Sequence, residues 1–277
     1  VGSEMCIRDR YSGTKFDEFQ RIETIDIWEW QFFNMEGYVP IIIAAQGRIN
    51  SHHSFASVIY KWNSAKSEFV KFQTMPRASA IRAFEIDGAP YFTIRQDNDH
   101  CWQHGCVIDT YNIPDFTPNS GAYFYAYSGF ELSVYGAGTM QYFERNGNAS
   151  HPWRYLAVPH YKSRHGVSYE TDSKIFKWDY SINHLYKMTG WIVEANIPST
   201  GAYDLEYFNI SGEEYIAVAN HRNESSFEID SLIYRWYNGS FDVLQRIPTV
   251  AAADWKFFEM GEEKFLALAQ RYDGAPD

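Results

Sequence analysis

The chain has 277 residues, 45% hydrophobic and 18% aromatic with 9 Trp and 21 Tyr, so it holds ample material for a core and is not a disordered segment. Its net charge is −11 and none of its 24 Lys and Arg cluster along the chain, which argues against a nucleic-acid partner, because neutralising phosphates takes a basic surface. No run approaches the length of a transmembrane helix, and no cleavable signal peptide is visible.

In chain order, Val1 to Arg10 resemble nothing else in the sequence and are read as a non-native or disordered leader, so Cys6 is not counted as a structural thiol. Residues 11–277 then form one array. Phe16-Asp-Glu-Phe-Gln-Arg-Ile22 has the pattern of a closing fourth strand. A first strand follows at Trp28–Phe33, a turn at Glu36-Gly37, a second strand at Ile41–Gln46, a polar loop, a third strand at Ser57-Val-Ile-Tyr-Lys-Trp62 and a fourth at Phe69–Met75. The next copy reads Ala80–Phe84, Asp87-Gly88, Tyr91–Gln96 and Cys106–Tyr111, the last a degraded match to Ser57–Trp62. A third copy has Gly138–Phe143, Asn146-Gly147, Tyr155–His160 and Ser173–Trp178, followed by an expanded connection from 179 to 200. The fourth has Gly201–Phe208, Ser211-Gly212, Tyr215–Asn220, Ser231–Trp236 and Phe241–Ile247, and a fifth begins with Ala252–Phe258, Gly261-Glu262 and Phe265–Gln270.

The second strands end 50, 64, 60 and 50 residues apart, a period that signals a repeat architecture. Asp-Gly and Asn-Gly between apolar runs mark tight hairpins, and no helical period appears. Four antiparallel strands per repeat of about 50 residues is the arithmetic of a β-propeller blade. Around Asp204, Ala202, Phe208 and Ile210 are assigned to one face and Tyr203, Leu205 and Tyr207 to the other. A sheet apolar on both faces must be covered on both, as stacked blades are.

The cassettes Ile247-Pro-Thr … Ala253-Asp-Trp-Lys-Phe-Phe258 … Phe265-Leu-Ala-Leu-Ala269 and Thr200-Gly-Ala-Tyr-Asp-Leu-Glu-Tyr-Phe208 … Tyr215–Asn220, with the Ser-x-Ile-Tyr-Lys/Arg-Trp strands, resemble the EAR (epilepsy-associated, or EPTP) repeat family over residues 11 to 277. The family includes the leucine-rich glioma-inactivated proteins and the thrombospondin-type laminin G domain and EAR repeat proteins. That resemblance implies a seven-bladed all-β propeller serving outside the cell as a protein-binding and adhesion module, secreted or part of a cell-surface ectodomain and not an enzyme. About four and a half blades are present, so the chain is expected to be a fragment of such a ring.

Cys101 and Cys106 flank the loop between the second and third strands of repeat two, within disulfide reach across a hairpin. A metal site using both thiols with His100 and His104, or two free thiols, are the alternatives. Asn148, Asn209, Asn223 and Asn238 each begin an Asn-x-Ser sequon at an expected turn or loop, as extracellular glycosylation requires.

The loops joining second to third strands all emerge at one end of a propeller, beside the blade-to-blade connections. They hold Asn50, His52, His53 and Phe55; Asp97, Asp99 and Trp102; Lys162, Arg164 and His165; and His221, Arg222, Glu224 and Phe227. Long, varied, polar loops on a rigid scaffold suit a partner-binding face, and a protein ectodomain or matrix protein is the expected partner. A solvated rim is the plainer alternative.

Asp204 and Asp254 share one repeat position on the innermost strand, with Glu29 aligned to them. Calcium in the axial channel is what the resemblance suggests for these acids, although Ala80 and Thr139 break the ring; no cofactor is otherwise required. Equally, a strand-start Asp bonds nearby backbone amides. Two other function classes stay open. One is a carbohydrate-binding propeller lectin using Trp102 and Tyr161 as stacking platforms, and the other is a propeller glycosidase or lyase on the axial channel. Against the latter, no sialidase-type Ser-x-Asp box, Gly-x-Ser-x-Gly elbow or phosphate loop occurs.

Overall fold

The computed structural model describes residues 9–11, 15–25, 27–46, 48–50, 53–54, 56–96, 106–112, 125–134, 138–145, 152–163, 168–179 and 190–271. The fold is all-β, built of four-stranded antiparallel propeller blades, and the chain divides into two compact units.

Unit one comprises residues 1–98 and 108–129. It opens with β1 (Asp9–Tyr11) paired to β2 (Phe16–Glu18), so Asp9 and Arg10 of the expected leader lie opposite Glu18 and Asp17. The first blade runs in the order β3 (Ile27–Phe33), β4 (Ile41–Gln46), β7 (Ser57–Asn63), β8 (Glu68–Met75). A two-stranded hairpin, β5 (Arg48–Asn50) and β6 (His53–Ser54), fills its loop. The segment after β2 clasps the blade's outer strand: the Gln20 amide donates to the Phe69 carbonyl at 2.7 Å and accepts the Phe69 N–H at 2.8 Å. The second blade runs β9 (Ala78–Ile86), β10 (Ala89–Gln96), β11 (Cys106–Asn112), β12 (Tyr125–Val134).

Unit two comprises residues 99–107 and 130–277. Its first blade is β13 (Gln141–Arg145), β14 (Trp153–Val158), β15 (Glu170–Trp178) and β16 (Trp191–Thr200). The next is β17 (Ala202–Ile210), β18 (Glu213–Asn220), β19 (Glu228–Tyr237) and β20 (Ser240–Val250), and β21 (Ala252–Met260) with β22 (Glu263–Gln270) begins another.

Turn chemistry explains the hairpins. Asp87-Gly88, Ser211-Gly212 and Asn238-Gly239 each place two successive residues at positive φ, as type I′ turns require. The repeated Ser at the head of the third strand also has a physical reason. Ser57, Ser173 and Ser231 are fully buried, and their hydroxyls accept the backbone N–H of Gln46, His160 and Asn220 at 3.1–3.2 Å. Without that oxygen a strand-end amide would be buried unpaired.

Both faces of a blade are covered, as the two-sided apolar pattern required. Within unit two, Ile216 and Val218 pack with Tyr155, Ile175, Ile197 and Leu205, while Ala217 and Ala219, from the opposite face of β18, pack with Phe208, Ala252 and Trp255. Three details differ from the sequence reading. Ala202 packs with Leu205 and not with Phe208, because a bulge at Tyr203 reverses the parity of β17 at that point. Tyr111 lies opposite Phe92, the register position of Tyr234 opposite Ile216, so the third strand of repeat two is offset by two residues from the expected alignment and keeps its aromatic core residue. Residues 191–200 of the expanded connection form β16, anchored by buried Trp191 and Ile197.

Carboxylates join one blade to the next. Glu29 of β3 accepts the Ile81 N–H of β9 at 3.0 Å and pairs with Arg82. At the equivalent place in unit two, Asp204 of β17 accepts the Trp255 N–H of β21 at 3.0 Å. Two residues on, Glu206 accepts the Phe257 N–H at 3.0 Å, and Gln141 of β13 accepts the Tyr207 N–H.

The connections between blades share one geometry. Gly201 (φ 56) and Ala251 (φ 49) sit between β16 and β17 and between β20 and β21, and their N–H groups donate to Tyr169 and Phe227, each at 2.8 Å. Alanine pays for a left-handed backbone where glycine does not, so Ala251→Gly should stabilise the protein by about 0.5–1 kcal/mol. A lower denaturant midpoint for this variant than for the parent would contradict it.

Candidate interaction face

The blade connections and the loops after the second strands lie at one end of unit two. Each loop is tied to the connection beside it: His221 N–H donates to the Gly201 carbonyl at 3.0 Å, and Arg271 N–H to the Ala251 carbonyl at 3.1 Å. His221 and Arg271 directly follow β18 and β22, and Tyr161, which follows His160, is at the same repeat position because His160 aligns with Asn220 and Gln270. Lys162 and Arg222 follow at the next position, and Tyr169 and Phe227 each immediately precede the third strand, four residues before its buried Ser. By sequence, Arg48 falls at the Lys162 position in repeat one.

An aromatic bed results. Tyr161 meets Tyr169 edge-on at 5.1 Å and Tyr203 at 4.9 Å, and the His221 ring lies 4.3 Å from Tyr203 and 5.4 Å from Phe227. The bulge in β17 is what projects Tyr203 into this group. Cations lie over it. Lys162 Nζ is 4.5 Å from the Tyr169 ring, the Arg222 guanidinium is 4.2 Å from Phe227 and 5.1 Å from Tyr169, and Arg271 is 5.7 Å from Tyr203.

The loops are held before any partner arrives. Glu224 accepts the Tyr169 N–H and the Ser168 hydroxyl, both at 2.8 Å, so the loop of one blade grips that of its neighbour, and these donors hold its carboxyl below the usual range. Asn223 Oδ1 accepts the N–H groups of Ser225 and Ser226 at 2.9 and 2.7 Å, closing the turn from within.

The expected site residues divide accordingly. Lys162, Arg222 and Glu224 stand on this face. His221, expected among the loop residues, is only 7% exposed. Its Nδ1–H donates to the Ala252 carbonyl at 3.2 Å, and burial, with Arg271 and Arg222 nearby, lowers its pKa. It serves as the floor of the face, because the chain turns back over it to begin β21. His53 lies in β6. His52, Phe55, Asp97, Asp99, Trp102, Arg164 and His165 lie outside the described residues, as do Cys101 and Asn148, while Cys106 opens β11. Tyr203 and Arg271 were not foreseen; the bulge exposes one, and the repeat position of His221 would have indicated the other. Of the remaining sequons, Asn223 is on the loop face, whereas Asn209 and Asn238 lie by the hairpin turns at the other end of the strands.

Asp204 is 3% exposed and committed to the Trp255 amide. Burial raises its pKa to about 7, opposed by that hydrogen bond and assisted by Asp254 and Glu206. Glu29 is likewise committed to Ile81 and Arg82, and among the described residues no three His, Cys, Asp or Glu side chains are grouped to hold a metal ion. Asp204 and Glu29 act here as blade-to-blade acceptors.

The EPTP domain model matches residues 195–236 and 240–276. The chain is 33% identical over 130 residues to the human thrombospondin-type laminin G domain and EAR repeat-containing protein, covering 44% of this chain and 18% of that protein. Against the mouse protein of the same name it is 25% identical over 271 residues, 96% of this chain and 38% of the relative. The chain thus spans well under half the length of these curated relatives. Among solved structures, a Trypanosoma rangeli sialidase bound to the inhibitor DANA aligns with a TM-score of 0.48 at 9% identity, covering 95% of this chain and 48% of that one.

Proposed function

This chain belongs to the EAR/EPTP repeat family, and on that premise we propose that it is an extracellular recognition module that holds a partner protein through the loop face of its blades. The observation that carries the reading is the ordered loop face of unit two, where loops from successive blades are bonded to each other and to the blade connections. Loops ordered beforehand lose less conformational entropy on docking. The curated relatives are named for a laminin G domain and for repeats, which supports placement outside the cell and a binding role. The charged side chains of this face hold loops and rings and are not set against one another as an acid–base pair, which favours binding over catalysis. Glycans at Asn209 and Asn238 would coat the hairpin-turn end and leave the loop face open.

The test is binding of the secreted chain to a panel of receptor and matrix ectodomains, with Lys162→Glu/Arg222→Glu as the loop-face variant and Lys264→Glu as the turn-end control. Binding that falls by about tenfold or more in the first and is unchanged in the second is expected. Equal binding by all three proteins would sink the loop-face assignment.

A further inference from the structure

The loop face of unit two carries positive charge in a chain whose net charge is −11, and that charge is arranged in a particular way. Lys162, Arg222 and Arg271 come from three consecutive second-strand loops, and each cation lies over an aromatic ring. The Arg222 guanidinium is half-buried and sandwiched between Phe227 and Tyr169, with Nε–H donating to the Asn223 carbonyl at 3.1 Å. One edge of its fork is thereby fixed, which orients the guanidinium, and an oriented guanidinium recognises a planar carboxylate by paired hydrogen bonds. Glu224 does not neutralise it, because that carboxylate is turned toward Tyr169 N–H and Ser168. Around the cations, Tyr161, Tyr169, Tyr203 and Phe227 are each partly exposed and offer ring surface.

We propose that this face of unit two binds an acidic, aromatic-containing polypeptide segment of the partner, with Arg222 as the central carboxylate anchor and Lys162 and Arg271 as flanking cations. The proposal rests on the recognition reading above and specifies the chemistry of the partner. The pattern favours a polypeptide over a sulfated glycan. A highly charged polymer needs an extended basic stripe to replace its counterions, and the remainder of this chain repels it; three cations set in an aromatic bed suit a few carboxylates among apolar side chains. A positively charged patch on a negatively charged protein also steers an acidic segment toward that face.

The experiment measures binding of the whole immobilised chain to a Glu/Tyr copolymer, a Gln/Tyr copolymer and size-matched heparin fragments, at low and at physiological salt. Binding of the Glu/Tyr copolymer that weakens with salt is expected, with at least about tenfold loss in Arg222→Gln and a smaller loss in Lys162→Gln and Arg271→Gln. Arg222→Lys keeps the charge without the fork and should recover only part of the affinity. Circular dichroism and the denaturant midpoint check that each variant is folded, and Arg235→Gln at the turn end serves as the neutral control. Equal binding of the Gln/Tyr copolymer, unchanged binding by Arg222→Gln, or binding of heparin alone would overturn the proposal. An ectodomain that binds through the loop face but is indifferent to Arg222→Gln would overturn it while leaving the recognition reading standing.

Discussion

Gly138→Ala is expected to destabilise unit two by about 3 kcal/mol, because the new methyl group would collide with backbone that has no room to move. A Cβ built on Gly138 falls 1.2 Å from the Tyr203 carbonyl oxygen and 2.2 Å from its carbon. That carbonyl is already fixed, accepting the Thr139 N–H at 3.0 Å, and it belongs to the bulge that projects Tyr203 into the aromatic bed. Gly212→Ala is the informative comparison. Its Cβ would meet nothing within 4 Å, so only the left-handed backbone at φ 88 is strained, worth about 1 kcal/mol. Chemical denaturation of both variants checks the ordering. If Gly138→Ala is no more damaging than Gly212→Ala, the close approach of Gly138 to Tyr203 of β17 is wrong. Because the bulge carries Tyr203, Gly138→Ala should also weaken binding at the loop face, whereas Gly212→Ala should not.

The second prediction concerns pH, where two buried groups of unit two oppose each other. Asp204 titrates at about 7 in the folded chain, raised chiefly by burial from its ordinary 3.8. Between those values the folded state keeps a proton that the unfolded state has lost, so this group's contribution falls as pH rises through that window. His160, 3% exposed, is pushed down to about 3 from 6.5, first by burial and then by Lys174. There the unfolded state binds the extra proton, so the contribution of His160 grows as pH rises from about 3 to 6.5. Each full slope is about 1.4 kcal/mol per pH unit, and the two nearly cancel where the windows overlap. His160→Gln installs the residue found at this repeat position in Gln46, Gln96 and Gln270. Relative to the parent, it should lose on the order of 2 kcal/mol of stability between pH 5 and 6.5, and Asp204→Asn should gain a similar amount over the same range. Parallel pH profiles for the parent and both variants would refute the assignment of these two titrations.

The parts of the fold written in short-range chemistry were legible in the sequence. Asp87-Gly88 and Ser211-Gly212 announce their turns because positive φ selects those residues locally, and the apolar residues on both faces of Tyr215–Asn220 require two covered faces wherever the blade sits. What was not legible depends on a one-residue insertion. The bulges at Trp28, Ser79, Tyr203 and Ala253 leave no mark in periodicity, since the residue pushed out is variously aromatic, polar or small. That is why Ala202 was assigned to the wrong face, and why Tyr203 went unnoticed as part of the candidate site. His221 illustrates the reverse case. Its neighbours Arg222 and Glu224 made it look like a loop residue, but the return of the chain at Ala252 covers it, and only the tertiary path shows that. For Asp204 the sequence left two roles open, and the position of the Trp255 amide favours one.

The carboxylate and amide acceptors on the innermost strands have a consequence for how this protein yields under stress. Gln141 donates to Glu206 at 2.7 Å and accepts the Tyr207 N–H, Glu206 in turn accepts from Lys256 and Phe257, and Asp204 holds Trp255. Glu206 is therefore shared by the β13–β17 and β17–β21 junctions, and the nearest-neighbour couplings of unit two are linked through that one carboxylate. Under pulling force or denaturant, the junctions on either side of β17 should loosen together, and loss of the Glu206 carboxylate should weaken both. A loop-face contact carried by either blade pair then depends on a side chain that belongs to both junctions.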